Sequence, residues 1–448
     1  MIKFILLSLC ITTALFSQSL EHKISQMLMV GFPGNELTDS TIINDIQLRK
    51  IGGVILMGYN ITSPSQVQQL TNSLQSNSQT PLFISVDQEG GRVARLKETN
   101  GFAATKTAFE IGTLINNEDS TRVWASLMAG WLQQSGFNVN LAPVADVNVN
   151  PNSPAIGLLD RSFSEIPEQV FQHNSWFINE FHDKNIFTTL KHFPGHGSAN
   201  TDSHFGFTDI TNTWSDSELI PFHKLIQQGY DDFVMSGHLF NANLDSIHPA
   251  SLSQKVMTNL LRDTLGFNGL VITDGMFMGA ITNNYTFDKA VELAINAGND
   301  ILLYTSNKIE GRSLVDSIVG IVLNKISVGL ITEARIDESY QRIMIKKQNL
   351  TNIYLSDDAI IPSGFGLTNY PNPFNATTKI VVIIPVSGNM NLKVYNIIGE
   401  EIAEIVNEYF NSGTHRFFFD AKELTSGVYL LVLNAGEKYF SHKIVLIK

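Results

Sequence analysis

The segment Leu270-Val-Ile-Thr-Asp274 consists of apolar and β-branched residues and ends on a carboxylate. A short apolar run without alternating polar positions is typical of a parallel β-strand that is buried on both faces. Eight such runs occur in the first 350 residues, at 27–31, 53–57, 82–87, 139–147, 187–193, 233–239, 270–274 and 300–304. Stretches with helical spacing separate most of them, as at 337–350, where Ile336, Tyr340 and Ile343 share one face. This alternation predicts an α/β fold in which residues 21–350 form a (β/α)8 TIM barrel.

Polar residues cluster at the carboxyl ends of the predicted strands. A barrel brings those ends, and the loops that follow them, to one mouth where active sites are built. A single residue of this kind is as well explained as a cap of the next helix, but five or more at one face favour a functional site. The candidates are Asp87, Asp146, Lys191, His192, His238 and Asp274.

Composition and charge exclude some classes of protein. The 42 acidic residues outnumber the 30 basic ones and give a net charge of −12, which argues against a nucleic-acid-binding protein. A hydrophobic content of 43% excludes intrinsic disorder for most of the chain.

The N-terminus indicates export. Lys3 precedes an apolar run at 5–16, followed by small and polar residues, and this pattern predicts a signal peptide at 1–17. The run is too short for a transmembrane helix, and no second span is expected. Cleavage near Ser17 would remove Cys10, the single cysteine, and leave a chain suited to an oxidising compartment.

The composition and hydrophobic pattern of the sequence change after Leu350. Residues 351–368 are rich in polar residues, Pro and Gly and are predicted to be a linker. Short strand patterns then recur at about ten-residue spacing with Ser-Gly and Ile-Gly turns between them. They predict a small all-β, antiparallel sandwich at 369–448, with strands at 379–385, 390–395, 401–406, 414–420, 427–434 and 439–446.

The densest polar stretch runs from Lys191 to His204 and holds three His, one Lys and one Asp within fourteen residues. A metal site built from His192, His196, Asp202 and His204 is one interpretation, but the spacing matches no standard zinc pattern and Lys191 would place a cation beside the metal. Histidines satisfied by local hydrogen bonds are a second interpretation, and a sugar-binding site is a third.

Longer motifs favour the sugar site. The stretch KHFPGHG at 191–197, followed by DSH at 202–204, resembles the signature of the bacterial β-N-acetylglucosaminidases of glycoside hydrolase family 3. The resemblance extends in order over 21–350, through SVDQEGGRVARL at 85–96, LAPVADVNVNP at 141–151, DRSF at 160–163, HPASLS at 248–253 and VITDGM at 271–276.

The resemblance implies roles for matching residues. Asp274 corresponds to the nucleophile that forms a covalent glycosyl–enzyme, His204 to the acid/base, and Asp202 to its partner. A histidine titrates near neutrality and can both donate and accept a proton. An Asp-x-His spacing in an extended loop would place both side chains on the same side. Gly275 departs from the many relatives that carry an acidic residue there, which affects the loop more than the reaction.

The same resemblance assigns sugar contacts to Asp87, Arg95, Arg161, Lys191 and His192. For Arg95 and Arg161 the alternative is a salt bridge at the barrel mouth. Two-step glycosyl transfer to water requires no cofactor and no metal.

The tail resembles a second family. The stretches NYPNPFNATTKI at 369–380, LKVYNIIGEEI at 392–402 and GTHRFFFDAKELTSGVYLLVL at 413–433 are similar to the type A C-terminal sorting domain of the Bacteroidetes type IX secretion system. The alternative is a carbohydrate-binding sandwich. The resemblance implies that type IX secretion machinery is a partner. It also implies passage through the periplasm to the cell surface or the medium.

These observations predict an exported, retaining exo-β-N-acetylhexosaminidase that acts on terminal β-linked N-acetylglucosamine of peptidoglycan fragments or chitin oligomers. The alternatives within the enzyme class are a family 3 β-glucosidase or xylosidase, which usually lacks the KHFPGHG…DSH stretch, and an N-acetylglucosamine phosphorylase. The alternative from another class is a non-catalytic glycan-binding surface protein, which would have no need for Asp274, Asp202 and His204 together.

Overall fold

Each of the eight apolar runs contains or adjoins a β-strand in the computed structural model, which describes residues 18–354 and 366–448 except 371, 385–386, 411–412 and 437. The described chain divides into two units, of which the first ends at Lys347 and the second begins at Gln348. The predicted signal peptide at 1–17, and most of the predicted linker, lie outside the described residues.

Parallel strands form the centre of the first unit. They are β1 (Leu28–Val30), β2 (Gly53–Leu56), β3 (Phe83–Val86), β4 (Val139–Asn140), β5 (Thr189–Phe193), β6 (Thr208–Asp209), β7 (Phe233–Ser236), β8 (Leu239–Phe240), β9 (Leu270–Thr273) and β10 (Leu302–Tyr304). One sheet has the order β10-β1-β2-β3-β4 and another the order β5-β7-β9, while β6 pairs with β8. Single parallel bridges join Val139 to Phe187, Val144 to Lys191 and Ile272 to Ile301. The predicted α/β class with a parallel-sheet core is therefore confirmed.

Helices connect most of these strands. They are α1 (Leu20–Gln26), α2 (Ser40–Gln47), α3 (Pro64–Ser76), α4 (Glu118–Gln134), α5 (Pro167–His182), α6 (Ile220–Gln227), α7 (Gly279–Thr282), α8 (Phe287–Ala297), α9 (Leu314–Ser327) and α10 (Glu333–Tyr354), with π-helical segments at Glu110–Ile115 and Lys255–Thr264 and a short hairpin of β11 (Lys308–Ile309) and β12 (Arg312–Ser313). No helix in 18–354 or in the described part of the tail is long and apolar enough to cross a membrane.

Helix α10 corresponds to the helical spacing of apolar residues predicted at 337–350. Ile336 and Ile343 are buried as their spacing predicts, and the helix extends four residues beyond the predicted end at Leu350. Lys347 is buried on this helix as well, and its Nζ donates to Gln26 Oε1 at 2.8 Å and to the Gly52 carbonyl at 2.7 Å. Burial holds the pKa of this lysine well below its usual range.

The second unit consists of antiparallel strands. They are β13 (Gly366–Tyr370), β14 (Thr377–Ile384), β15 (Gly388–Asn396), β16 (Glu401–Phe410), β17 (Gly413–Asp420), β18 (Gly427–Ala435) and β19 (Lys438–Leu446). Their orders are β13-β14-β17 and β16-β15-β18-β19, and residues of both sheets share one apolar core that includes Ile380, Leu392 and Leu431. The all-β prediction for the tail is confirmed, with one further strand at Gly366–Tyr370.

A buried carboxyl group supports the turn that follows β5. Glu218 lies in the short helical turn Asp216–Leu219, is fully buried, and its Oε2 accepts the Ser198 N–H at 3.3 Å. Gly195 (φ +128°) packs against it so closely that a Cβ there would lie 2.7 Å from the Glu218 Cβ. Within the described residues Glu218 Oε1 has no hydrogen-bond partner. Burial raises the pKa of this carboxyl to about 7.

Two glycines offer a matched test of the strand packing. A Cβ on Gly52, just before β2, would lie 1.9 Å from the Gln26 carbonyl oxygen, whereas a Cβ on Gly130 in α4 would meet nothing within 4 Å. We expect Gly52→Ala to lower the free energy of unfolding by about 3 kcal/mol or more, as forced overpacking does. Gly130→Ala should raise it by about 0.5–1 kcal/mol through helix propensity. Thermal unfolding of both variants checks this, and a neutral Gly52→Ala would contradict the close approach.

The Glu218 carboxyl group should make stability depend on pH. Because its folded pKa lies above the ordinary value of about 4.5, the folded state holds the proton more tightly, so stability is lost as pH rises from about 4.5 to about 7. Glu218→Gln removes this loss, and its stability relative to wild type should increase by about 1–3 kcal/mol between pH 4.5 and pH 8. Melting curves at both pH values test this, with the exposed Glu98→Gln as control; an equal difference at both pH values would refute it.

Candidate active site

A cavity of about 470 Å³ opens at the carboxyl ends of the parallel strands. Met57 follows β2, Asp87 follows β3, Lys191 and His192 lie in β5, and Asp274 follows β9. The remaining polar and charged side chains on its wall come from connecting loops: Glu89, Arg95, Arg161, His204 and Thr305. The predicted convergence of strand-end residues is therefore observed for Asp87, Lys191, His192 and Asp274.

Asp274 presents its carboxylate at the end of β9. Its backbone N–H donates to the Ser236 carbonyl at 3.0 Å, and its Oδ1 accepts the Gly275 N–H at 2.7 Å. Burial acts to raise the pKa of this carboxyl group, but the imidazoles of His192, His238 and His204 outweigh it and lower the pKa to about 2. Asp274 is therefore ionised at neutral pH. Its second oxygen, Oδ2, does not take part in the hydrogen bond from the Gly275 N–H.

Five buried or partly buried charges form a network beside Asp274. Lys191 Nζ lies 2.6 Å from Glu89 Oε1 and 3.0 Å from Asp87 Oδ1. Arg161 binds Glu89 through two bonds of 2.8 Å, and Arg95 Nη2 lies 3.2 Å from Asp87 Oδ2. Arg95 and Arg161 thus form the salt bridges of the alternative interpretation and also line the cavity. Each charge has an opposite partner, which the burial of ionised groups requires.

The network fixes the charge states of its members. Burial acts to raise the pKa of Glu89, yet Arg161 and Lys191 hold it well below its usual range. Burial would lower the pKa of Lys191, but Asp87 and Glu89 raise it. The wall therefore offers fixed ammonium, guanidinium and carboxylate groups to a polar ligand over a wide range of pH.

His192 is held from behind by Asp146. Its Nδ1 lies 2.7 Å from Asp146 Oδ2, and its Nε2 lies 3.3 Å from Arg161 Nη2. Asp146 Oδ1 also accepts the backbone N–H groups of His192 and His196. Asp146 is fully buried and does not line the cavity, so it orients the β5 loop.

His238 likewise lies behind the wall. Its Nδ1 is 2.7 Å from Ser251 Oγ and its Nε2 is 3.1 Å from the Gly275 carbonyl oxygen. Burial lowers its pKa. A neutral imidazole that accepts from Ser251 and donates to Gly275 satisfies both contacts, and it supports the residue next to Asp274.

Asp202 and His204 form a pair on the loop after β5. His204 Nδ1 lies 2.7 Å from Asp202 Oδ1, and the same oxygen accepts the His204 backbone N–H at 2.9 Å. Burial acts to raise the pKa of Asp202, while the hydrogen bonds from His204 lower it overall. The imidazole remains 57% exposed, lines the cavity, and has Nε2 left for a ligand.

The geometry of this pair differs from the expected one. Ser203 and His204 lie in a turn rather than in an extended loop, and the contact arises because an Asp side chain caps the backbone two residues ahead. The structure thus brings Asp202 and His204 into contact, but through a backbone conformation different from the expected one.

Hydrogen bonds join this loop to the segment that follows Asp274. Gly279 N–H donates to the His204 carbonyl at 3.0 Å, and Ala280 N–H donates to the Ser203 carbonyl at 3.2 Å. The position of the imidazole is thereby coupled to the loop that carries the carboxylate.

Glu89 was not singled out from the sequence, although it contacts two of the residues that were. The signal lay in its position two residues after Asp87 and in the need of Lys191 and Arg161 for a second buried carboxylate. Glu218, which supports the turn after β5, could not be recognised from the sequence, where it is only an acidic residue three positions before Pro221.

The four residues considered as metal ligands have different partners. His192 contacts Asp146, His196 Nε2 contacts Ser203 Oγ at 3.1 Å, and His204 contacts Asp202. In the part of the chain that the structure describes, no group of three or more His, Cys, Asp or Glu side chains is arranged to hold a metal ion.

Comparison with known families gives two matches. The description "Glycosyl hydrolase family 3 N terminal domain" matches residues 19–345, and "Secretion system C-terminal sorting domain" matches residues 368–448. The second match indicates export to the cell surface or the extracellular space.

Curated relatives carry hexosaminidase names. The chain is 37% identical over 274 residues to Beta-hexosaminidase A of Pseudoalteromonas piscicida, covering 56% of this chain and 45% of the relative, and so spans less than half of that protein. It is 35% identical over 295 residues to a Beta-hexosaminidase of Tolumonas auensis, covering 65% of this chain and 86% of the relative.

Solved structures agree with these matches. A glycoside hydrolase family 3 β-N-acetylglucosaminidase from Paenibacillus sp. str. FPU-7 superposes with a TM-score of 0.70 at 32% identity, over 78% of this chain and 65% of that chain. A β-N-acetylhexosaminidase from Beutenbergia cavernae gives 0.68 at 28% identity, over 74% and 99%. On these grounds, and on residues 19–345 in particular, the chain belongs to glycosyl hydrolase family 3.

Proposed function

We propose that this protein is an exported, retaining exo-β-N-acetylhexosaminidase that hydrolyses terminal β-linked N-acetylglucosamine from peptidoglycan fragments or chitin-type oligosaccharides. The observation that carries the proposal is the placement of an ionised Asp274 and of the imidazole of His204 on the wall of one cavity. The hexosaminidase names of the relatives support the choice of an amino sugar.

In the first step, Asp274 Oδ2 attacks the anomeric carbon of the bound sugar. The bond between that carbon and the glycosidic oxygen breaks, and the electron pair stays on the oxygen, which takes a proton from His204 Nε2. In the second step, a water molecule gives a proton to Nε2 and attacks the same carbon, and Asp274 leaves as a carboxylate. Two displacements retain the configuration.

Asp202 acts through His204. Because its Oδ1 accepts the Nδ1 proton, it leaves Nε2 as the nitrogen that gains and loses the transferable proton. It also stabilises the imidazolium that donates in the first step and forms again when water is deprotonated. Asp202 is therefore a positioning residue in this mechanism.

The charged network provides the sugar site. Asp87 accepts hydrogen bonds from sugar hydroxyls, while Arg95, Arg161, Lys191 and His192 provide donors to sugar oxygens. Fixed charges of this kind favour a polar ring over an apolar one, since their opposite partners keep them in place before the sugar arrives.

Hydrolysis is favoured over phosphorolysis by the same network. The cations Lys191, Arg95 and Arg161 already contact Asp87 or Glu89, so they carry less uncompensated positive charge for an incoming phosphate. Comparing products with and without phosphate separates the two reactions. Release of sugar from muropeptide, chitobiose and an aryl glucoside side by side separates hexosaminidase from glucosidase and from a non-catalytic protein.

We also propose that β1, β2, β3, β4, β5, β7, β9 and β10 close into an eight-stranded (β/α)8 barrel. The parallel bridges Val139–Phe187 and Ile272–Ile301 support closure, because they link the two sheets at both ends. The proposed organisation is a signal peptide at 1–17, a catalytic domain at 21–350, a linker at 351–368 and a sorting β-sandwich at 369–448. Type IX secretion would take the protein through the periplasm to the cell surface or the medium.

Replacement of the proposed nucleophile gives the first functional test. Asp274→Ala should reduce kcat/KM for an aryl β-N-acetylglucosaminide by about a thousandfold or more, because no covalent intermediate can form. Added azide should restore part of the turnover by attacking from the vacated side and give a glycosyl azide of inverted configuration. Asp119→Ala, at an exposed position in α4, is the control, and near-normal turnover in Asp274→Ala would refute the role.

The acid/base role predicts a dependence on the leaving group. His204→Ala should lower kcat/KM by about 100-fold or more for a sugar leaving group, because the departing oxygen needs the proton. For a dinitrophenyl leaving group the loss should be about tenfold or less, because that oxygen departs unprotonated. Steady-state kinetics with both substrates check this, and equal losses would count against His204 as the acid.

A further inference from the structure

An exposed aromatic residue, Phe205, directly follows His204. Phe205 is 83% exposed, more than any other large apolar side chain in the described residues. Exposed apolar residues are common on protein surfaces, but Phe205 directly follows His204, whose side chain lines the cavity.

The backbone of Phe205 is well fixed although its ring is exposed. Its N–H donates to the Asp202 carbonyl at 3.1 Å, and its own carbonyl accepts Asn283 Nδ2 at 3.5 Å. Gly279 permits this approach, since a Cβ there would lie 2.7 Å from the Phe205 carbonyl carbon. The exposure of the ring is therefore a property of a loop that is anchored to the segment after Asp274.

The position of the leaving group follows from the proposed mechanism. The glycosidic oxygen joins the sugar in the cavity to the leaving group, and His204 Nε2 has to reach that oxygen. The leaving group therefore lies just outside the cavity, beside the loop that carries His204. Phe205 is the next residue of that loop.

We propose that Phe205 forms a stacking platform for the pyranose ring of the leaving group. This inference rests on the proposed function and narrows its substrate class to oligosaccharides in which a second β-linked sugar ring follows the one that is released. The C–H face of a pyranose covers an aromatic ring and removes apolar surface from water. The charged groups of the cavity bind the first ring, and the uncharged ring of Phe205 binds the second.

The test compares one substrate that has a second ring with one that lacks it. The probes are N,N′-diacetylchitobiose and methyl N-acetyl-β-glucosaminide, which share the transferred sugar and both have a leaving oxygen that needs the proton from His204, but only the first has a second ring. The readout is the ratio of kcat/KM for chitobiose to kcat/KM for the methyl glycoside, measured for the full chain. The variants are Phe205→Ala, Phe205→Trp, and Leu48→Ala, an exposed apolar residue at the C-terminal end of α2, away from the strand ends that form the cavity.

Covering one face of a phenyl ring is worth about a tenfold change in a rate or equilibrium constant. We expect the ratio to fall about tenfold in Phe205→Ala and to stay within about twofold of wild type in Phe205→Trp and Leu48→Ala. An unchanged ratio in Phe205→Ala overturns the platform, whether both substrates stay fast or both slow equally; equal slowing would mean that Phe205 only positions His204. A wild-type protein that releases sugar from neither probe would overturn the proposed function itself.

Discussion

Glu89 holds two cations, Arg161 and Lys191, against the base of the cavity, and most of the site depends on this contact. Lys191 in turn reaches Asp87, and Arg161 reaches His192 and thereby the residues that Asp146 organises. Removing one partner of a buried ion pair leaves an uncompensated charge and costs about 3–5 kcal/mol. The polar wall is therefore maintained as one unit, in which each side chain is held by a neighbour before any ligand is bound.

The two proposed reacting groups depend on this unit to different degrees. Asp274 lies beside the network and takes its charge state from surrounding imidazoles. His204 is carried by a separate turn, is more than half exposed, and is linked to the rest through backbone bonds to Gly279 and Ala280. A fixed nucleophile and a more accessible proton carrier suit a reaction in which the proton is given to the glycosidic oxygen in the first step and taken from a water oxygen in the second.

The sequence was sufficient for the strands and for most of the site, because both follow from strong local patterns. Unbroken apolar runs marked buried parallel strands, and Asp87, Lys191 and Asp274 at their ends marked the cavity. Glu89 was missed because its importance comes from contacts with Arg161 and Lys191, which are 72 and 102 positions away, and its place two residues after Asp87 was only a weak signal. The sequence also predicted the Asp202–His204 pair from an extended backbone, whereas a local side-chain cap produces it. Contacts of this kind depend on loop conformations that hydrophobic periodicity does not encode.

Lys347 has a consequence for processing of the chain. Its Nζ donates to Gln26 and to the Gly52 carbonyl and lies over the ring of Phe83. These residues lie at the amino ends of β1, β2 and β3, so helix α10 packs against the ends of the strands opposite to the cavity. A protease that trims the tail has to cut after this lysine if the first unit is to keep the buried side chain of Lys347. A cut before it would take the donor away from the buried Gln26 Oε1, whereas the Gly52 carbonyl would keep its hydrogen bond from the Phe83 N–H.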